Sequence, residues 1–67
     1  MQLVEETYYT VPEVAETLKV SHMTVYRWIK DGKLAAYKLG GEFRITKRDL
    51  EHFLEVRRTP KSEPKGD

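Results

Sequence analysis

The chain contains no cysteine, and its formal net charge is only +1 over 67 residues. Without thiols there is no disulfide framework and no thiolate metal site, so apolar burial must hold the fold. The missing cysteine also fits a reducing compartment. No apolar run approaches the roughly 20 residues needed to span a bilayer. The first residues, Met1-Gln2-Leu3-Val4-Glu5-Glu6, are acidic and lack the basic-then-apolar layout of a secretory signal. The expectation is a cytoplasmic protein without a membrane partner. The length allows one small domain, which buries only about 60% of the surface its unfolded chain exposes.

Catalytic groupings are scarce as well. His22 and His52 are isolated in sequence and fall on different predicted helices. Neither has a second carboxylate, a nucleophile–base pair or a phosphate-binding loop near it. A two-histidine metal site needs further ligands, and none is identifiable. The sequence therefore predicts no enzyme, no metal and no cofactor.

What the chain does have is a polarised charge distribution. From Lys19 to Arg48 there are eight basic side chains against two acidic ones, a local balance of +6, while the flanks total −5. Such a chain can present one positive face to a polyanion and stay near neutral overall. The alternative is a chance cluster on a solvated surface.

Thr10-Val11-Pro12-Glu13 predicts a helix start, with Thr10 as N-cap, Pro12 in the first turn and Glu13 completing a capping box. Tyr9 and Val14 take the positions of a hydrophobic staple. Val11, Val14, Ala15 and Leu18 form one apolar stripe over a short helix, Val11 to Leu18. Lys19-Val20 is a brief connection, and Ser21 caps a second helix that reaches Lys30. Val25, Trp28 and Ile29 share its inner face, and Gly32 stands where a left-handed residue ends a helix. Two short helices joined this tightly make a helix-turn-helix pattern.

Leu34 to Leu39 has modest strand character, with Ala35, Tyr37 and Leu39 on one side and Ala36 and Lys38 on the other. Gly40-Gly41 is a two-residue turn, after which Phe43 and Ile45 resume the alternation and Arg44 points outward. The expectation is a hairpin whose outer face carries Lys38 and Arg44 together. Thr46-Lys47-Arg48-Asp49 is a second capping-box pattern, with Asp for Glu, opening a third helix with Leu50, Phe53 and Leu54 inward. Beyond Arg58 there is no apolar residue to bury, and two prolines follow. Residues 58–67 read as a disordered tail, 8–57 as the domain, and 1–7 as a flexible N-terminus from which Leu3 or Val4 can pack on the core. No internal repeat is visible. The class is α+β, mainly α.

With Val25 at the centre of the buried face and about 100° per residue, Met23, Arg27 and Lys30 project away from the core. His22 and Tyr26 lie on one flank, Thr24 and Asp31 on the other. A helix in a major groove needs polar side chains toward its N-terminal half for base edges and basic ones along its sides for phosphates. The alternative is an ordinary solvated helix face. Ser21 is first of all an N-cap, and a helix N-terminus is also a phosphate site. Arg27 is the leading candidate for DNA contact, because a guanidinium can bridge phosphates or read guanine bidentately. Trp28 reads as core, and Tyr26 stays open. On the hairpin, Lys38 and Arg44 suit a sugar-phosphate backbone or a minor groove, and Gly41 lets the backbone approach closely. Any exposed hairpin also needs such charges for solubility. Glu42 opposes contact at the tip, since a carboxylate repels phosphate.

The run Tyr9-Thr10-Val11-Pro12-Glu13-Val14-Ala15-Glu16, continued by Val20-Ser21-His22-Met23-Thr24-Val25-Tyr26-Arg27-Trp28-Ile29, resembles the helix-turn-helix of the excisionase and MerR-like superfamily. Asp31-Gly32-Lys33-Leu34, Tyr37-Lys38-Leu39-Gly40-Gly41, Phe43-Arg44-Ile45 and Asp49-Leu50 follow the same pattern, so the likeness covers Tyr9 to Leu54. It implies a winged helix-turn-helix with the second helix in the major groove and the hairpin on the adjacent backbone or minor groove. By position it implies Ser21, Thr24, Tyr26 and Arg27 as DNA-facing helix residues, and Lys38, Gly41 and Arg44 as wing residues. Glu42 departs from the pattern, where a basic residue is common. The resemblance also implies a nucleoid-associated factor binding double-stranded DNA, with copies set side by side on direct repeats. Its output is either recombination directionality or transcription regulation. The long dimerisation helix and effector domain usual in a MerR regulator have no room in this chain. An integrase or RNA polymerase is the implied protein partner, and the chain also reads as a protein-interaction module docking through its acidic flanks or the Phe53–Val56 segment.

Overall fold

Residues 6–59 are described by a computed structural model of the chain. A short strand β1 (Tyr8–Thr10) runs directly into helix α1 (Val11–Leu18), and α2 (His22–Lys30) follows after a tight turn. Strands β2 (Tyr37–Leu39) and β3 (Glu42–Thr46) form a hairpin that leads straight into helix α3 (Lys47–Val56). This is the expected α+β winged helix-turn-helix, with one element more than the sequence pattern predicts. Of the segments expected to be flexible (1–7) and disordered (58–67), residues 1–5 and 60–67 lie outside the described residues.

The additional element is β1. Tyr8, Tyr9 and Thr10 pair antiparallel with Thr46, Ile45 and Arg44, which makes β3 the centre of a three-stranded sheet in the order β1-β3-β2. A three-residue strand is too short to show alternation, although aromatic and β-branched residues favour it. The Thr7 carbonyl accepts a hydrogen bond from the Lys47 N–H at 2.8 Å, tying the chain ahead of β1 to the start of α3.

Each helix starts where its cap residue requires. At α1 the box is complete: Thr10 N–H donates to Glu13 Oε1 at 2.9 Å, and Glu13 N–H donates to Thr10 Oγ1 at 3.2 Å. At α3 the forward half forms, with Asp49 N–H donating to Thr46 Oγ1 at 3.0 Å. Asp lacks the methylene that lets Glu reach back. α2 ends in a Schellman turn, in which Lys33 N–H donates to the Trp28 carbonyl and Gly32 N–H to that of Ile29.

The chain after this turn does not follow the expected strand from Leu34. Leu34 is 1% exposed and its N–H donates to the Trp28 carbonyl, so it plugs the core from a loop, and the strand begins only at Tyr37. It joins Val11, Val14, Ala15, Val25, Ile45, Leu50 and Phe53 in one buried cluster to which both α1 and α2 contribute. Trp28 lies half-buried on Phe53, ring centroids 4.7 Å apart, which places it with the core. Leu54, expected inward, is 41% exposed. It lies about 100° around the helix from Phe53, past the edge of the face that Leu50 and Phe53 bury.

The turn between α1 and α2 is closed the same way as the end of α2, by Val20 N–H donating to the Ala15 carbonyl. Here the left-handed position is held by Lys19, at φ 61 and ψ 43, and not by glycine. A side chain in that region costs about 1–2 kcal/mol relative to glycine, partly offset by glycine's greater freedom in the unfolded chain. Lys19→Gly is therefore expected to stabilise the domain by roughly 1 kcal/mol and to raise its Tm by about 4–8 °C. Thermal unfolding followed by circular dichroism checks this, and an unchanged or lower Tm contradicts it.

Candidate nucleic-acid interface

The outward face of α2 is built by its cap and its core side. Thr24 N–H donates to Ser21 Oγ at 3.1 Å, and the Ser21 and Thr24 hydroxyls lie 2.9 Å apart in a hydrogen bond. Val25 is buried, and Trp28 and Ile29 are half-buried on the same side. His22, Met23, Tyr26, Arg27 and Lys30 are all exposed on the rest of the helix, with Met23 at 64%. Thr24 is half-buried, with its hydroxyl occupied by the cap. Among the described residues neither Arg27 nor Lys30 makes a salt bridge.

The termini of the three helices differ in charge. α1 carries Glu13 in its first turn and α3 carries Asp49, whereas α2 has no acidic residue there. The positive end of the α2 dipole is thus not offset by a carboxylate in its own first turn. Arg27 and Lys30 occupy its last turn, so the positive side chains on the exposed side of α2 lie in its C-terminal half.

The hairpin tip turns at Gly40 and Gly41, with φ of 59 and 88. An added Cβ meets nothing within 4 Å at either position, so the two glycines answer to the positive φ values of this tight turn and not to crowding. The register is Leu39 opposite Glu42, Lys38 opposite Phe43, and Tyr37 opposite Arg44. Directly opposed residues share a face, and neighbours along a strand do not. Lys38 and Arg44 therefore lie on opposite faces of the wing, which corrects the expectation that they stand together.

The two cations also meet different surroundings. Arg44 donates from Nη1 to Glu42 Oε1 at 2.8 Å and to the Phe43 carbonyl at 3.3 Å, and its side chain is 31% exposed. Its face carries Tyr37, whose ring meets Tyr8 edge-on with centroids 6.5 Å apart. Lys38 stands on the other face, its Nζ 5.3 Å from the centre of the Phe43 ring. The Phe43 ring in turn meets Tyr26 of α2 edge-on, centroids 6.2 Å apart. A groove of about 230 Å³ opens beside this contact, lined by Thr10, Val11, Pro12, Tyr26, Glu42 and Phe43.

The structure thus brings His22, Met23, Tyr26, Arg27 and Lys30 onto one exposed helical face and links Lys38 to that face through Phe43. Ser21 and Thr24 serve the cap, Gly41 serves the turn, and Arg44 is turned to the far side and paired. Phe43 was missed as part of this surface. Counting outward from the two-residue turn pairs it with Lys38, and that signal is present in the sequence. No group of three or more His, Cys, Asp or Glu among the described residues is placed to hold a metal ion. No helix among them is long and apolar enough to cross a membrane.

The profile of the family described as "Helix-turn-helix domain" matches residues 8–58. The YvgK protein of Bacillus subtilis is 47% identical over 49 residues, which are 73% of this chain and 16% of that protein. The Mycobacterium tuberculosis protein named "Putative DNA-binding protein Rv0500A" is 44% identical over 47 residues, 70% of this chain and 60% of its own length. The Rv2310 protein of the same organism is 41% identical over 49 residues, 73% of this chain and 43% of that protein. The chain thus spans less than two thirds of each of these relatives. No solved structure matches it.

Proposed function

Since this chain belongs to the helix-turn-helix domain family, we propose that it binds double-stranded DNA sequence-specifically, with α2 in the major groove and the wing on the adjacent backbone. The observation that carries this reading is the exposed cationic face of α2, in which Arg27 and Lys30 have no carboxylate partner among the described residues. The DNA-binding name of the mycobacterial relative supports it. Ser21, His22, Met23, Thr24, Tyr26, Arg27, Lys30, Lys38, Gly41 and Arg44 are the site residues drawn from the sequence. Within that set, Arg27 and the helix face read the bases, and Lys38 supplies the wing's cation. Arg44 and Gly41 play the lesser part.

One module of this size buries only about 600–1,000 Å² on DNA, so specific binding calls for copies on adjacent sites. The excisionase resemblance supports a role in setting recombination direction, at the nucleoid and beside an integrase. A regulator of transcription acting with RNA polymerase uses the same surface. A protein-docking role is favoured by Leu54 and Val56, which α3 leaves exposed. An integrase contact that persists at high salt and after nuclease treatment is the result that supports docking.

Binding to genomic duplex fragments, titrated across salt concentrations, tests the main reading. With Lys30 and Lys38 on phosphates and Arg27 on a base, log K is expected to fall with log salt at a slope of about −2. Lys38→Ala should reduce that slope by about 0.9, and Arg44→Ala should change it by less than half as much. Binding that is absent, or indifferent to salt, overturns the reading; equal effects of the two substitutions overturn the assignment of the wing cation.

A further inference from the structure

The wing's attachment to the body is uneven along its length. β1 covers β3 only from Arg44 to Thr46, so Glu42 and Phe43 pair with β2 alone. Beyond Arg44 the sheet is a two-stranded ribbon, and such a ribbon is at best marginally ordered by itself. Its tip is made of two glycines with open space around them, which give no packing of their own.

Phe43 joins the ribbon to the recognition helix. The half-buried Phe43 ring meets Tyr26 of α2 on one side and lies under the Lys38 ammonium on the other. Aromatic edge contacts and cation–π contacts are weak individually but directional, because both depend on the ring quadrupole. A Leu of similar bulk keeps the apolar burial and loses both directional contacts. The Tyr26–Phe43–Lys38 series is thus the side-chain contact that aims the two-stranded part of the wing at the recognition helix.

The geometry points to Phe43 as a positioning residue that couples the wing to α2, so that Lys38 engages the backbone only while the aromatic bridge is intact. This rests on the DNA-binding reading above and adds what sets the distance between its two contact points. Glu42 is paired with Arg44 on the face opposite Lys38, which reduces its repulsion of a phosphate at Lys38.

A double-mutant cycle on DNA binding tests the coupling. Lys38→Ala is made in the wild-type chain, in Phe43→Leu and in Phe43→Tyr, and the slope of log K against log salt is measured for each. Circular dichroism melting verifies that each variant is folded, and Phe43→Met replaces Phe43→Leu if the latter is not. Lys38→Ala is expected to lower the slope by about 0.9 in the wild type and in Phe43→Tyr, and by less than half of that in Phe43→Leu. An equal loss on all three backgrounds overturns the coupling and leaves DNA binding standing. A wild type that binds while Lys38→Ala has no effect on it also overturns the coupling. A wild type that binds no duplex overturns the function and the coupling together.

Discussion

Leu34→Ala is expected to leave the domain largely unfolded at room temperature. Leu34 is among the largest fully buried side chains, and it is delivered to the core from a loop by the Schellman turn that ends α2. Truncating a buried Leu to Ala costs about 2–5 kcal/mol, because the transfer free energy is lost and a cavity is left behind. A single core in a chain below about 70–80 residues rarely supplies more than about 3–5 kcal/mol in total. The chain has no disulfide to offset the loss. Urea unfolding at 25 °C should show the midpoint collapsing toward zero denaturant. A variant that keeps most of the wild-type midpoint would mean that the loop relaxes to fill the space, and that the α2–β2 connection is far softer than its hydrogen bonds indicate.

Arg27→Ala should be the largest single loss in DNA binding, with the fold untouched. Arg27 is exposed, has no carboxylate partner among the described residues, and sits between Met23 and Lys30 on the outward face of α2. Loss of a bidentate guanine contact costs about 1–3 kcal/mol, or roughly a five- to 150-fold drop in affinity. Arg27→Lys separates the two ways in which the guanidinium can act. If Arg27 reads a base, lysine restores little, because a point charge cannot make the planar paired contact. If Arg27 holds a phosphate, lysine restores most of the affinity. Fluorescence anisotropy with a labelled duplex measures both, and an Arg27→Ala variant of wild-type affinity removes Arg27 from the interface.

The helical part of the fold was legible because its signals are local. Thr10 with Glu13, Ser21 ahead of Thr24, and Gly32 after Lys30 each act within one turn, and the structure realises each of them. The outward set on α2 follows from Val25 and the helical period alone. The sheet was less legible, since its pairings are between residues distant in the chain. β1 meets β3 across some 35 positions and is three residues long, so no period reveals it. The wing's two faces were readable in principle. Gly40-Gly41 fixes the register, and that register sets Lys38 with Phe43 and Arg44 with Tyr37. Taken strand by strand, Lys38 and Arg44 look like equivalent outward cations, and only the pairing across the turn separates their faces. Leu34 illustrates the opposite case, an apolar residue assigned to a strand when a left-handed turn had already directed it into the core.

The most direct test of the α2 face as the DNA-reading surface is NMR chemical-shift mapping with a duplex that the chain itself selects from a random pool. The largest shifts are expected at Ser21 to Lys30 and at Lys38 to Phe43, with Tyr8, Tyr37 and Leu54 nearly unmoved. Shifts concentrated on the Tyr8–Tyr37 side of the sheet or on α3, with α2 silent, would contradict it.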